Sequence, residues 1–192
     1  MKINEIFYSL QGEGFWTGTP MVFVRFAGCN LQCPFCDTDW TSYTDMTTEA
    51  ILAEVEQYPS RRVCITGGEP CLQLTEELVE AFHAKGFLLH MESNGTLLPP
   101  KGVDWLTVSP KAPFLSDGEG TLAVKAGDEL KLLYPSDPSL FDDIQAKHRF
   151  LQPIDAGDAA ISETNIRQTI EYISAHPQWR LSLQTHKLLN IR

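Results

Sequence analysis

Three thiols crowd into one short stretch of this 192-residue chain, at Cys29, Cys33 and Cys36, in the spacing Cys-x3-Cys-x2-Cys. Thiolates are soft donors that select iron–sulfur clusters, zinc or copper(I). Three of them are one ligand short of a closed four-cysteine site. A cubane iron–sulfur cluster held by three thiolates keeps one iron open to an outside ligand, and an open iron implies chemistry rather than electron storage. Structural zinc sites usually combine two paired halves, and there is no second Cys-x2-Cys pair here. Cys64 and Cys71 stand alone, and His83, His90, His148, His176 and His186 are scattered. An odd number of cysteines in a chain of this length also fits a disulfide framework poorly. Zinc and inert thiols remain the alternatives to an iron–sulfur site on spacing alone.

Other polar clusters accompany the thiols: Thr66-Gly67-Gly68-Glu69-Pro70, Glu92-Ser93-Asn94-Gly95, Ser109-Pro110-Lys111 and Gln152-Pro153. Each has a plain explanation. Gly67 and Gly68 could form a tight turn or let backbone approach a ligand. Asn94-Gly95 is a common turn pair, although Glu92 and Asn94 could also hold ribose hydroxyls. Lys111 could pair with a carboxylate or stay solvated. Cys64 lies in an apolar run that reads as core, and Cys71 could be a bystander beside Pro70.

The elements that must position these groups alternate between strand and helix. Residues 21–26, 62–66, 87–92, 105–108 and 129–133 read as strands, another ends at Phe150 and Leu151, and residues 181–183 close the set. Thr47 and Thr48 can cap a helix with Ile51, Leu52 and Val55 on one face. A second helix from about Thr75 sets Leu78 and Phe82 a turn apart, and Ile166, Ile170 and Ile173 line a late helix. Residues 105–108 follow a loop rather than a clear helix, and residues 117–120 read as a polar, glycine-rich loop. Such alternation argues for crossover units and a parallel sheet. The cysteine stretch and the polar clusters then follow carboxyl ends of strands, the edge where α/β sheets and barrels bind ligands.

Composition sets the outer limits. Hydrophobic residues make up 43% and charged residues 21%, ordinary for one soluble globular domain spanning residues 1–192. No apolar run approaches membrane-spanning length, and the first residues lack the apolar stretch of a signal peptide. Free thiols suit a reduced cytoplasm. A net charge of −10 without a basic block disfavours nucleic acid as partner.

Taken together, the Cys-x3-Cys-x2-Cys loop after one strand and Gly-Gly-Glu-Pro after the next resemble the radical S-adenosylmethionine (SAM) superfamily. Leu10-Gln11-Gly12-Glu13-Gly14, Arg25, Cys36-Asp37-Thr38, Thr66 to Pro70, Ser109-Pro110-Lys111 and Gln184-Thr185-His186-Lys187 resemble the 7-carboxy-7-deazaguanine synthase family within it. The resemblance implies an α/β fold, a trimmed partial (β/α)6 barrel, usually a homodimer. It implies a lyase that contracts 6-carboxy-5,6,7,8-tetrahydropterin to 7-carboxy-7-deazaguanine with loss of ammonia, on the way to queuosine and related deazapurines. The cofactors implied are a 4Fe–4S cluster, SAM and Mg2+, with an external one-electron reductant of flavodoxin or ferredoxin type. By the same resemblance Cys29, Cys33 and Cys36 hold the cluster, and SAM yields a 5′-deoxyadenosyl radical that abstracts hydrogen from the pterin. Thr38 matches the magnesium position. Leu10, Gln11, Gly12, Glu13, Arg25, Thr66 and His186 match substrate contacts, with Arg25 gripping the substrate carboxylate. Phe35, Cys36, Asp37, Gly68, Glu92, Asn94, Ser109, Pro110, Lys111, Gln152, Pro153, Ile154 and Asp155 match SAM contacts, and Lys131 falls in the same group. Ser93 stands where the family often has threonine, and Asn190, Ile191 and Arg192 stand where some members reach the substrate with a terminal proline.

Two rival functions are a different radical enzyme, such as a glycyl-radical activase, and a zinc-binding module. Anaerobically purified protein is expected to be brown, with about four irons and matching sulfide per chain. Colourless protein with stoichiometric zinc would identify the module instead.

Overall fold

Successive residues of a strand face opposite sides of a sheet, and this chain uses that rule to separate core from cleft. The computed structural model describes residues 1–114 and 120–192. Val22, Val24 and Phe26 of β2 (Pro20–Phe26), Val63 and Ile65 of β4 (Arg62–Gly67), Leu89 and Met91 of β5 (Leu88–Ser93) and Leu106 and Val108 of β6 (Trp105–Val108) join one buried core. Their alternates turn to a hollow on the other face: Phe23 and Arg25, Cys64 and Thr66, His90 and Glu92, Trp105 and Thr107. On β7 (Ala126–Tyr134), Leu130 and Leu132 enter a second core while Glu129 and Lys131 face the hollow.

The sheet has nine strands in the order β3-β1-β2-β4-β5-β6-β7-β8-β9. From β2 to β8 (Gln145–Pro153) and the short β9 (Arg180–Leu181), neighbouring strands are parallel. β1 (Lys2–Leu10) pairs antiparallel with β2, and β3 (Thr44–Asp45) antiparallel with β1. Helix α1 (Thr48–Val55) leads into β4, and α2 (Glu76–Ala84) links β4 to β5. Thr47 and Thr75 accept from the Ala50 and Leu78 amides as N-caps, and Ile51, Leu52, Val55, Leu78 and Phe82 are buried as their spacing predicts. Between β5 and β8 the described connections hold only 3-10 turns, Ala112–Phe114 and Pro138–Phe141. The result is an open, trimmed partial barrel.

Two features depart from the sequence reading. The antiparallel strands β1 and β3 were not expected. A register shift between Ile3 and Glu5 breaks the alternation that would mark β1, and β3 has only two residues. The helix α3 (Ala159–Ala175) forms as expected, but its isoleucine stripe is not its buried face: Ile166 and Ile170 are 39% and 48% exposed. Asn165 and Thr169 are buried instead, with Asn165 donating to the Ile154 carbonyl, and of the three isoleucines only Ile173 packs against the second core. The loop read at residues 117–120 lies, apart from Gly120, outside the described residues. No helix among the described residues is long and apolar enough to cross a membrane.

Candidate active site

The carboxyl ends of the parallel strands open into a cleft of about 590 Å³. The cysteine loop leaves β2 there and is closed on itself by the Gly28 amide donating to the Trp40 carbonyl, 2.8 Å. Cys29 and Cys33 are half-buried and Cys36 is exposed; none is in a disulfide, and all three line the cleft. Burial and the nearby Glu69 carboxylate push the Cys29 thiol above its ordinary range, so the neutral thiol is its resting form until a metal displaces the proton.

Glu69 fixes the loop to the sheet. It is fully buried, and its carboxylate accepts from the Cys71 amide (3.0 Å), the Ser93 hydroxyl (2.9 Å) and the Asn94 amide (2.8 Å). Its own amide donates to the Gly28 carbonyl, 2.9 Å. Gly68 is demanded by the same contact, because a Cβ there would fall 2.0 Å from the Gly28 oxygen. Asn94 extends the link: its side-chain amide donates to Asn30 on the loop, 3.1 Å, and Asn30 donates to Thr96, 2.8 Å.

A cluster of buried charges forms the floor. The Lys131 ammonium contacts the Glu13 carboxylate and lies 3.7 Å from Glu92. Burial works against both charges. The Glu13, Glu92 and Glu129 carboxylates nonetheless raise Lys131, and Lys131 with the Gln184 amide holds Glu13 down at about 2. Removing one partner of such a buried pair costs about 3–5 kcal/mol. The Gln11 side-chain amide donates to Glu92, 3.1 Å, and its oxygen accepts from the Glu13 amide, 3.1 Å. Thr66 donates to Glu92, 3.4 Å. Lys111, held by the Ser109 carbonyl and hydroxyl, is depressed to about 8 by burial and by Lys131.

The far wall comes from the end of the chain. α4 (Thr185–Leu189) docks through the Thr185 amide and hydroxyl, both donating to the Gly12 carbonyl at 2.9 Å. His186 lies so close that a Cβ on Gly12 would fall 2.1 Å from its Nδ1. Lys187 bridges Asp37 of the cysteine loop (2.9 Å) and Asp155 beyond β8 (3.2 Å). At the opposite end Arg25 donates through Nε to Glu5, 2.9 Å, and Arg192 meets the other oxygen of Glu5, 2.5 Å.

Every residue that the sequence reading placed in the site lines this cleft except Pro110, which lies between the lining residues Ser109 and Lys111 in the chain. The loops carrying Leu10 to Glu13, Phe35 to Thr38 and Gln152 to Asp155 all converge on it. Gln184 and Lys187 line it without having been assigned a role, and Lys131 lies on the floor beside Glu13 rather than with the rim segments. The signal for Lys131 was its alternation with Leu130 and Leu132, which places a charge on the cleft face of a strand.

The donor chemistry fits an iron–sulfur cluster. Three soft thiol donors lining one cleft suit the corners of an iron–sulfur cubane. Three thiols at the carboxyl rim of a parallel sheet define a class, and the Radical SAM superfamily profile matches residues 23–113. Relatives narrow it. The chain is 47% identical to the 7-carboxy-7-deazaguanine synthase of Bacteroides thetaiotaomicron, covering 100% of this chain and 98% of the relative. It is 44% identical to that of Bordetella pertussis, covering 99% and 98%. The crystal structure of QueE from Escherichia coli superposes with a TM-score of 0.77 at 30% identity, over 95% of this chain and 92% of the other. This chain belongs to the 7-carboxy-7-deazaguanine synthase family.

Burial pushes Glu129 from its ordinary 4.5 up to about 7. Its contribution to stability is therefore full below pH 4.5 and is lost as the pH rises through about 7. The loss is on the order of 3 kcal/mol. Glu129→Gln removes this dependence, so urea midpoints should favour the variant more at about pH 8 than at about pH 5. An equal gap at both pH values would contradict the assignment.

Proposed function

We propose that this chain is a radical SAM lyase that converts 6-carboxy-5,6,7,8-tetrahydropterin to 7-carboxy-7-deazaguanine with release of ammonia, supplying queuosine and related deazapurines. The observation that carries the reading is the convergence, in one cleft, of three cysteine thiols with a floor of buried charge. When bound, the 4Fe–4S cluster and SAM supply one-electron cleavage of the sulfonium and with it hydrogen-atom abstraction.

The protein's part is to hold, orient and exclude water. Cys29, Cys33 and Cys36 would hold three irons. Phe35, Asp37, Gly68, Asn94, Ser109, Lys111 and the segment from Gln152 to Asp155 would frame SAM, with Pro110 joining Ser109 to Lys111 in that rim. Glu13, held ionised by Lys131, presents an acceptor to the donor edge of the pterin ring, within the wall made by Leu10, Gln11, Gly12, Thr66, Glu92 and His186. The Nε of Arg25 is fixed by Glu5, which leaves the other two guanidinium nitrogens to grip the substrate carboxylate. Thr38 would give a hard oxygen to Mg2+ beside the substrate. The electron would come from a flavodoxin- or ferredoxin-type protein. The same reading makes the chain a single-domain enzyme working as a homodimer in the cytoplasm, where its five cysteine thiols stay reduced.

A glycyl-radical activase would need a site that admits a protein segment, and it leaves the Glu13–Lys131 floor without a purpose. The test is to incubate reconstituted enzyme with a reductant, SAM and the carboxy-tetrahydropterin and to look for the deazaguanine by mass. Deoxyadenosine without that product would keep the radical class and overturn the substrate. Removal of divalent cations should slow product formation and Mg2+ should restore it. Full activity in thoroughly chelated buffer would count against Thr38.

A further inference from the structure

Beside the floor of the cleft lies a second, small chamber of about 10 Å³, near the lower bound for one internal water. Gln11, Glu13 and Glu92 line both cavities and form the wall between them. Beyond that wall the chamber is bounded by Trp16, His90, Trp105 and Glu129.

Among the described residues, three buried side-chain polar atoms have no hydrogen-bond partner: Trp16 Nε1, His90 Nδ1 and Trp105 Nε1. All three belong to residues that line this one chamber. The indole nitrogens can only donate. His90 is neutral, because burial and the adjacent Arg62 hold it down at about 4. Arg62 Nη1 sits 3.2 Å from His90 Nε2; a guanidinium cannot accept, so Nε2 accepts and Nδ1 carries the hydrogen. Three N–H donors therefore border a water-sized space, and each one left unpaired costs about 1–3 kcal/mol. Glu129 is the matching acceptor. One of its oxygens takes the Phe15 amide at 3.1 Å, and no described partner occupies the other.

We infer that the chamber holds an ordered water that accepts from one of these N–H groups and bonds both Glu129 and Glu92, and that this water passes protons between Glu129 and Glu92 at the floor of the cleft. In the transfer the Glu129 O–H breaks as the water gains that proton, the water gives one of its own to a Glu92 oxygen, and the water is restored. No redox partner is required. The charged and titratable groups around Glu129 are Lys131 on its own strand, Glu13 on the loop, Glu92 and His90 on β5, and His148 opposite it on β8. Burial keeps the protonated form of Glu129 populated near neutral pH. The use of the relay rests on the reaction proposed above, in which the departing nitrogen must take up protons to leave as ammonia.

The holoenzyme crystal structure, at a resolution that places ordered water, tests the site. It should show one water within hydrogen-bonding reach of an indole N–H of Trp16 or Trp105, of Glu129 and of Glu92; an empty chamber, or a water out of reach of either carboxylate, overturns the inference. Glu129→Gln tests the relay, since glutamine can still accept from Phe15 but has no acidic proton to pass. The variant should keep its iron content, SAM affinity and KM, and lose about 10-fold to 100-fold in kcat. A wild-type kcat, or a loss confined to KM, overturns the relay. If the wild-type enzyme makes no deazaguanine at all, the proposed reaction is what fails, and the electron density in the chamber still decides the water site.

Discussion

The buried carboxylate of Glu69 is the joint on which the site depends. A carboxylate with no access to water is tolerated only where donors surround it, and this one is met by two backbone amides and the Ser93 hydroxyl. Those donors lie on the turn after β4 and at the end of β5, and the Glu69 amide in turn holds the Gly28 carbonyl at the start of the cysteine loop. Three strand ends are thereby locked at one height. Parallel strands joined by long crossovers do not fix their own ends so closely, and a loop bearing three thiols needs such an anchor to face the cleft.

A second constraint is electrostatic. Lys131 is buried beside Glu13 and Glu92 and within the electrostatic reach of Glu129, and no exposed pairing of this kind would hold a carboxylate as firmly ionised as Glu13. The same burial drives Glu129 the other way, to about 7. Two carboxylates in the field of one lysine are thus pushed apart, one kept ionised at the cleft and one able to carry a proton beside it. Divergent environments of this kind are how one fold sets acid and base roles side by side.

Much of this was legible in the residues. The cysteine spacing marked a metal-cluster loop, the strand–helix alternation gave the parallel sheet, and the polar segments after strand ends mapped onto one rim. Other parts were hidden for physical reasons. β1 was masked by its bulge near Ile3. The face of α3 was misread because Asn165 and Thr169 are buried through hydrogen bonds to backbone carbonyls, so hydrophobic periodicity pointed outward. Gly67-Gly68 left both a tight turn and ligand approach open, and Gly68 lines the cleft while lying against the Gly28 carbonyl. The chamber could not be seen at all, since Trp16, His90 and Trp105 meet only once the sheet has curved.

The central claim is that Cys29, Cys33 and Cys36 occupy three corners of a cluster and leave the fourth facing the cleft. Electron paramagnetic resonance of the reduced, reconstituted protein, recorded before and after addition of SAM, tests it most directly. The account predicts a clear change in the spectrum as the amino and carboxylate groups of SAM reach the exposed iron. Superimposable spectra from a protein carrying its full complement of iron would contradict it.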